Sequence, residues 1–214
     1  MYPSRDFPKG LMSRYMLLDG TLRRTAMAIE VAAARRLFTR EEYHRMGEVG
    51  ILTRRDRVEL IKGEIITMSP IGARHYAFVS NLTRLLITRL DDRAFVGVQG
   101  PVVLADDTEP QPDLAVNRHR AVPYRERLPA AEDVLLLIEV SESSLAYDGS
   151  TKLRLYAAHG IPEYWVVDCI ARSIEIHRMP AADGYRDVRR VDGAATVAMQ
   201  AFPDVTLTLA EIFA

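Results

Sequence analysis

Asp133-Val134-Leu135-Leu136-Leu137-Ile138-Glu139-Val140-Ser141 is an apolar run with one carboxylate set inside it. Runs of this length with β-branched members read as a strand covered on both faces at the centre of a sheet. A glutamate there loses its hydration, which is costly unless a cation or hydrogen-bond donors replace the water. Upstream, Glu109-Pro110-Gln111-Pro112-Asp113 carries a second acid at the mouth of another short apolar run. Two acids on neighbouring strands, the first preceded by proline, suggest a site for a hard divalent cation.

Working outward, Thr39-Arg40-Glu41-Glu42 is a capping box and predicts a short helix through about Met46. Arg57 to Met68 reads as two strands joined by a Lys62-Gly63 turn. From Ala73 to Leu90, Phe78, Val79, Leu82, Leu85, Leu86 and Leu90 recur at helical spacing. Strands are predicted over 94–104, 113–117, 134–141, 163–168 and 173–178, with another from Gly184 and a turn at Asp192-Gly193. A loop over 142–149 is expected to lead into a helix over 150–159, stopped by Gly160 and Pro162. A short helix over 209–213 closes the chain. The order is mixed α/β.

The 214 residues suit one α/β core with appendages. A single cysteine, Cys169, excludes an internal disulfide and a cysteine-based zinc site and fits a reducing, cytoplasmic setting. No apolar stretch approaches ~20 residues, so no membrane span is expected. Net charge is −1, but residues 1–40 hold eight Lys/Arg against three Asp/Glu, which leaves the remainder at −6. Residues 1–36 read as a basic extension and 37–214 as one domain.

If the two-proline segment is extended, Glu109, Gln111 and Asp113 fall on one side. In the next strand Glu139 and Ser141 share a face and Val140 points away. Magnesium takes octahedral oxygen ligands and keeps several waters, so Asp113, Glu139 and the backbone carbonyl of Val140 suffice as a protein set. Manganese is a possible substitute. Taken singly, either acid reads as readily as a strand-entry residue or an arginine partner. The pair, with a charge inside an apolar run, favours a site.

Pro112-Asp113 followed by Glu139-Val140-Ser141 resembles the PD-(D/E)XK nuclease motif, in which an acid pair binds metal and a lysine aids attack on a phosphodiester. The chain from about Phe38 onward resembles the Uma-two family within that superfamily. The matching stretches include 58–70, Arg74-His75, 109–113, 134–140, Tyr147-Asp148, 152–157 and 160–165. The resemblance implies a restriction-endonuclease-like fold, a mixed central sheet flanked by helices, with an N-terminal hairpin and additional C-terminal strands. It also implies a divalent metal and DNA as substrate. The motif's usual lysine position holds Ser141, and the resemblance moves that role to Lys152 on the following helix. A lysine stem reaches far enough for this.

Lys152 and Tyr156 lie four apart, on one helical face. Glu64, after the hairpin turn, is expected to add a third acid, either through water or by orienting Lys152. His75, Gln111 and Tyr156 are candidate substrate contacts. His75 opens the long helix, where backbone N–H groups can hold a phosphate. The leading reading is a magnesium-dependent endonuclease. A catalytically silent nucleic-acid-binding or scaffold protein is the alternative, and hydrolysis of another phosphate ester is a third. Self-association as a homodimer or larger homo-oligomer is expected from exposed strand edges.

Overall fold

The computed structural model describes residues 35–53, 55–122, 124–142 and 144–214. The basic extension expected over 1–36 therefore lies, except for its last two residues, outside the described residues. The elements begin with α1 (Arg40–Glu48), β1 (Val58–Ile61), β2 (Glu64–Thr67), α2 (Ala73–Leu90), β3 (Ala94–Val98), β4 (Leu114–Arg118) and β5 (Val134–Ser141). There follow α3 (Leu145–Tyr147), a π-helical segment Asp148–Lys152, α4 (Leu153–Ala158), β6 (Glu163–Asp168) and β7 (Ser173–Ala181). The chain ends with β8 (Gly184–Val191), β9 (Thr196–Met199), β10 (Phe202–Thr208) and α5 (Leu209–Ile212).

Strands β3 to β8 form one six-stranded sheet in sequence order, and β1–β2 and β9–β10 are separate hairpins. Neighbours in the large sheet are antiparallel except β5 and β6. Those two run parallel because the helical stretch from Leu145 to Ala158 crosses over between them. The Val134–Ser141 run is an interior strand, as its composition predicts, and seven of its eight residues are buried.

Strand alternation sorts side chains onto two faces. Leu136, Ile138 and Val140 of β5 join Leu114, Val116, Trp165 and Val167 under α2, where Phe78, Leu82 and Leu86 meet them. Leu137, Ala115, Tyr164 and Val166 point the other way, toward Leu155, Tyr156 and Ile161 around α4. Thr39 and Glu42 form the expected reciprocal cap of α1. Lys62 and Gly63 both have positive φ, 50° and 76°, which lets two residues close the β1–β2 turn.

Three expectations need correction, and one hairpin was not predicted. β3 ends at Val98 and not at Leu104, because Gln99 turns into a left-handed conformation (φ 46°) and Gly100-Pro101 follows. The helix before β6 begins at Leu145, inside the expected loop, since Ser144 and Ser141 hydroxyls both donate to Asp148 and fold that turn inward. β7 continues past Arg178 to Ala181. The β9–β10 hairpin was not legible because a register shift between Phe202 and Thr206 breaks its alternation.

Two buried groups make the fold testable. Glu163, at the start of β6, is fully buried. Its carboxylate accepts from Trp165 Nε1 at 2.9 Å, Arg178 Nε at 2.8 Å and the Gln200 backbone at 2.6 Å. It thus ties the sheet to the segment between β9 and β10. Glu163→Ala leaves a guanidinium and two N–H groups without their acceptor and is expected to cost about 3–5 kcal/mol in urea unfolding. The double change Glu163→Met with Arg178→Met is expected to cost less than the single change. An equal or larger loss would show that the pair stabilises by more than satisfying itself.

His177 is buried against Tyr164 and Tyr185, and neither ring nitrogen has a hydrogen-bond partner among the described residues. Burial lowers its pKa from 6.5, and Glu175, with an oxygen 3.6 Å from Nε2, opposes this only in part. The unfolded chain therefore binds a proton that the folded chain resists. The stability His177 permits is complete above about pH 6.5 and is lost as pH falls from there through its depressed folded value. In melts across pH 5–8, His177→Phe is expected to flatten the acid-side loss; an unchanged slope would exclude His177 as its source.

Candidate active site

The face pattern decides where the acids go. Ala115 and Leu137 point toward α4, so Asp113 and Glu139, each two residues away along its strand, share that side. Both line a cavity of about 290 Å³ together with Glu59, His75, Asp148 and Lys152.

Asp113 Oδ2 accepts the Val140 N–H at 2.9 Å and meets His75 Nε2 at 2.9 Å, and Oδ1 accepts from Gln99 Nε2 at 3.2 Å. Burial alone would push this carboxyl up. The neighbouring His75, the Val140 N–H and the Gln99 amide outweigh burial and hold it below the usual carboxylate range. Glu139 Oε1 accepts from Lys152 Nζ at 2.9 Å and from the Tyr156 hydroxyl at 2.8 Å. Burial drives the Glu139 pKa well above its ordinary value; the Lys152 ammonium opposes this, while Asp148, Asp113 and Glu59 reinforce it.

Lys152 is itself 4% exposed. Burial would discharge it, but Glu139, Glu59 and Asp148 dominate and raise its pKa, so it stays an ammonium. Its position at the end of the π-helical segment follows from the inward fold of Asp148, which accepts from Ser141 Oγ at 2.7 Å and Ser144 Oγ at 2.5 Å. Such π segments recur at functional sites.

The lining is acid-rich: Glu59, Asp113, Glu139, Glu142 and Asp148 face Arg57, Lys152 and His75. That imbalance favours a cation, and the donors fit one. An ionised carboxylate has about four lone-pair sites, and Asp113 uses three. Glu139 Oε2 meets no donor among the described residues. Extending the Leu114↔Ile138 register by two residues sets Pro112 opposite Val140, and proline has no N–H to give that carbonyl. Among the described residues no three His, Cys, Asp or Glu side chains form a ready-made metal cluster. Two carboxylates and a carbonyl, completed by water, are a set that magnesium accepts.

The remaining expected residues are distributed differently from the sequence reading. Glu64 lies opposite Ile61 on β2 and does not line this cavity; Glu59 on β1 does. Glu59 Oε2 is 3.3 Å from Lys152 Nζ and accepts the Gln111 backbone N–H at 3.1 Å. An acid inside Val58-Glu59-Leu60-Ile61 is the same anomaly that marks Glu139, so the signal was present. Tyr156 is fully buried behind Glu139, out of reach of a substrate. Gln111 faces a different groove, with its side chain donating to Val58 O at 3.3 Å, and Glu109 pairs with Arg40 and His44. The three alternating residues of the two-proline segment therefore do not converge on one site. His75 does belong to the cavity.

The fold matches a solved structure from Anabaena variabilis, described as a putative nuclease belonging to DUF820. The two share 17% sequence identity, with a TM-score of 0.64 and coverage of 82% of this chain and 97% of that one. No curated protein matches the chain. A family model described as "Putative restriction endonuclease" matches residues 40–210, from the first described helix to the last, and the chain belongs to that family, Uma2.

Proposed function

We propose that this protein is a magnesium-dependent endonuclease that hydrolyses phosphodiester bonds in DNA, with manganese able to substitute. The observation that carries the reading is the convergence of Asp113, Glu139 and the Lys152 ammonium in one cavity. Membership of a family described as restriction endonucleases supports DNA as the substrate.

Asp113, Glu139 and the Val140 carbonyl would hold the ion. Magnesium held there would supply a Lewis acid to offset phosphate charge and sharpen a water as nucleophile. Lys152, kept charged by the acids around it, stabilises negative charge developing on the phosphate oxygens. Glu59 takes the supporting role expected of Glu64 by pairing with Lys152 Nζ at 3.3 Å, in addition to Glu139. Tyr156 fixes Glu139 Oε1, and His75 with Gln99 fixes the Asp113 carboxylate, so both acids keep their orientation before substrate arrives.

Supercoiled plasmid incubated with magnesium tests the reading. Wild type is expected to nick or linearise it and to stop when the metal is chelated. Asp113→Asn, Glu139→Gln and Lys152→Ala are each expected to cut the rate by about 100-fold or more. Full activity in either acid variant would falsify the assignment of the site. Binding of DNA without cleavage across several divalent metals would favour a silent nucleic-acid-binding protein.

A further inference from the structure

A second groove runs along the other side of the β1–β2 hairpin from the catalytic cavity, and Arg57 and Met68 border both. Its volume is about 790 Å³. Gln99, Gln111, Tyr43 and His44 line it. The two glutamines connect the spaces directly. Gln99 gives its side-chain amide to Asp113, and Gln111 gives its backbone N–H to Glu59, while both line the groove. Gln99 holds a left-handed backbone (φ 46°), a strained state for a residue with a side chain and one that clusters at ligand sites.

The chemistry of the groove is that of a base and not of a phosphate. Its ionised lining is Asp56 and Glu109 against Arg57, so it offers no excess positive charge to a backbone. It offers instead two side-chain amides, each giving one N–H to the protein (Gln99 to Asp113, Gln111 to Val58 O) and carrying a second, and two adjacent rings, Tyr43 and His44, packed edge to face at 5.6 Å. Amides read base edges, and aromatic and imidazole rings stack on base faces. Residues 41–214 carry a net charge of −6. Phosphate binding draws on Lys and Arg, so this domain must take much of its affinity for DNA from another source.

We propose that this groove is a subsite for an unpaired nucleobase next to the scissile phosphate, and that the substrate is accordingly single-stranded or locally unpaired DNA. A base held in a duplex presents only its edges; one that enters a groove bordered by rings and amides must leave its partner. The inference rests on the endonuclease reading for the position of the phosphate, but the groove's occupancy can be measured without turnover.

The test is fluorescence anisotropy with the full chain, with calcium in place of magnesium. The probes are one short single-stranded oligonucleotide, the same strand carrying an abasic position, and its blunt duplex. The intact single strand is expected to bind about tenfold more tightly than the abasic strand or the duplex. His44→Ala and Gln111→Ala are each expected to weaken the intact strand several-fold and to leave the abasic strand unchanged. Neither change removes a catalytic side chain, and circular dichroism melts confirm that each variant folds. Equal affinity for intact and abasic strands, tighter binding of the duplex, or loss of affinity for all three probes alike would overturn the proposal. Hydrolysis of bis(4-nitrophenyl) phosphate, which has no base, separates the two readings. Its absence with metal counts against the catalytic site, while base-dependent binding alone decides the groove.

Discussion

Glu139 has almost no access to water, and its carboxylate must be matched by protons or charges that the protein supplies. Lys152 and Tyr156 both donate to one of its oxygens. Lys152 is buried in turn and needs more than one anion to remain charged, which Glu59 and Asp148 provide. Asp148 reaches that position because the chain turns inward through Ser144 and a π-helical segment. One constraint on a central strand thereby organises the crossover helix and brings in the hairpin beneath it. Removing either partner leaves a bare charge in a low-dielectric interior, a far larger penalty than a surface ion pair incurs.

The site is over-supplied with acid when only protein groups are counted. Asp113 is held ionised by His75, the Val140 N–H and Gln99, while Glu139 is pushed toward its neutral form by burial. The two acids flank the same carbonyl-bearing residue, Val140, and Pro112 withholds the donor that would normally occupy its oxygen. A divalent cation, if bound as proposed, would supply positive charge that this set of protein groups lacks.

The parts of this architecture written in strong local patterns were legible from residues alone. The α2 face, the Thr39 cap, the Lys62-Gly63 turn and the apolar strands β5 and β6 each follow from spacing or turn chemistry. The end of β3, the early start of the crossover helix and the β9–β10 hairpin were not. They depend on a left-handed Gln99, on serine hydroxyls folding Asp148 inward, and on a shifted register, none of which leaves a periodic trace. Asp113, Glu139 and Lys152, singled out in the sequence (the lysine by resemblance), line one cavity. Glu64, expected from its place after the turn, does not line the cavity, and Glu59 on the preceding strand, which the sequence reading did not single out, does. Tyr156 shares a helix face with Lys152, yet the depth of α4 against the sheet makes it a support for Glu139.

The central claim is that Asp113, Glu139 and the Val140 carbonyl form a divalent metal site. Anomalous diffraction from crystals of the protein grown with manganese tests it most directly. The expected result is one strong peak at coordination distance from both carboxylates and that carbonyl, with Lys152 still against Glu139 or Glu59. Manganese bound elsewhere, or no peak while Glu139 stays paired only with Lys152 and Tyr156, would contradict it.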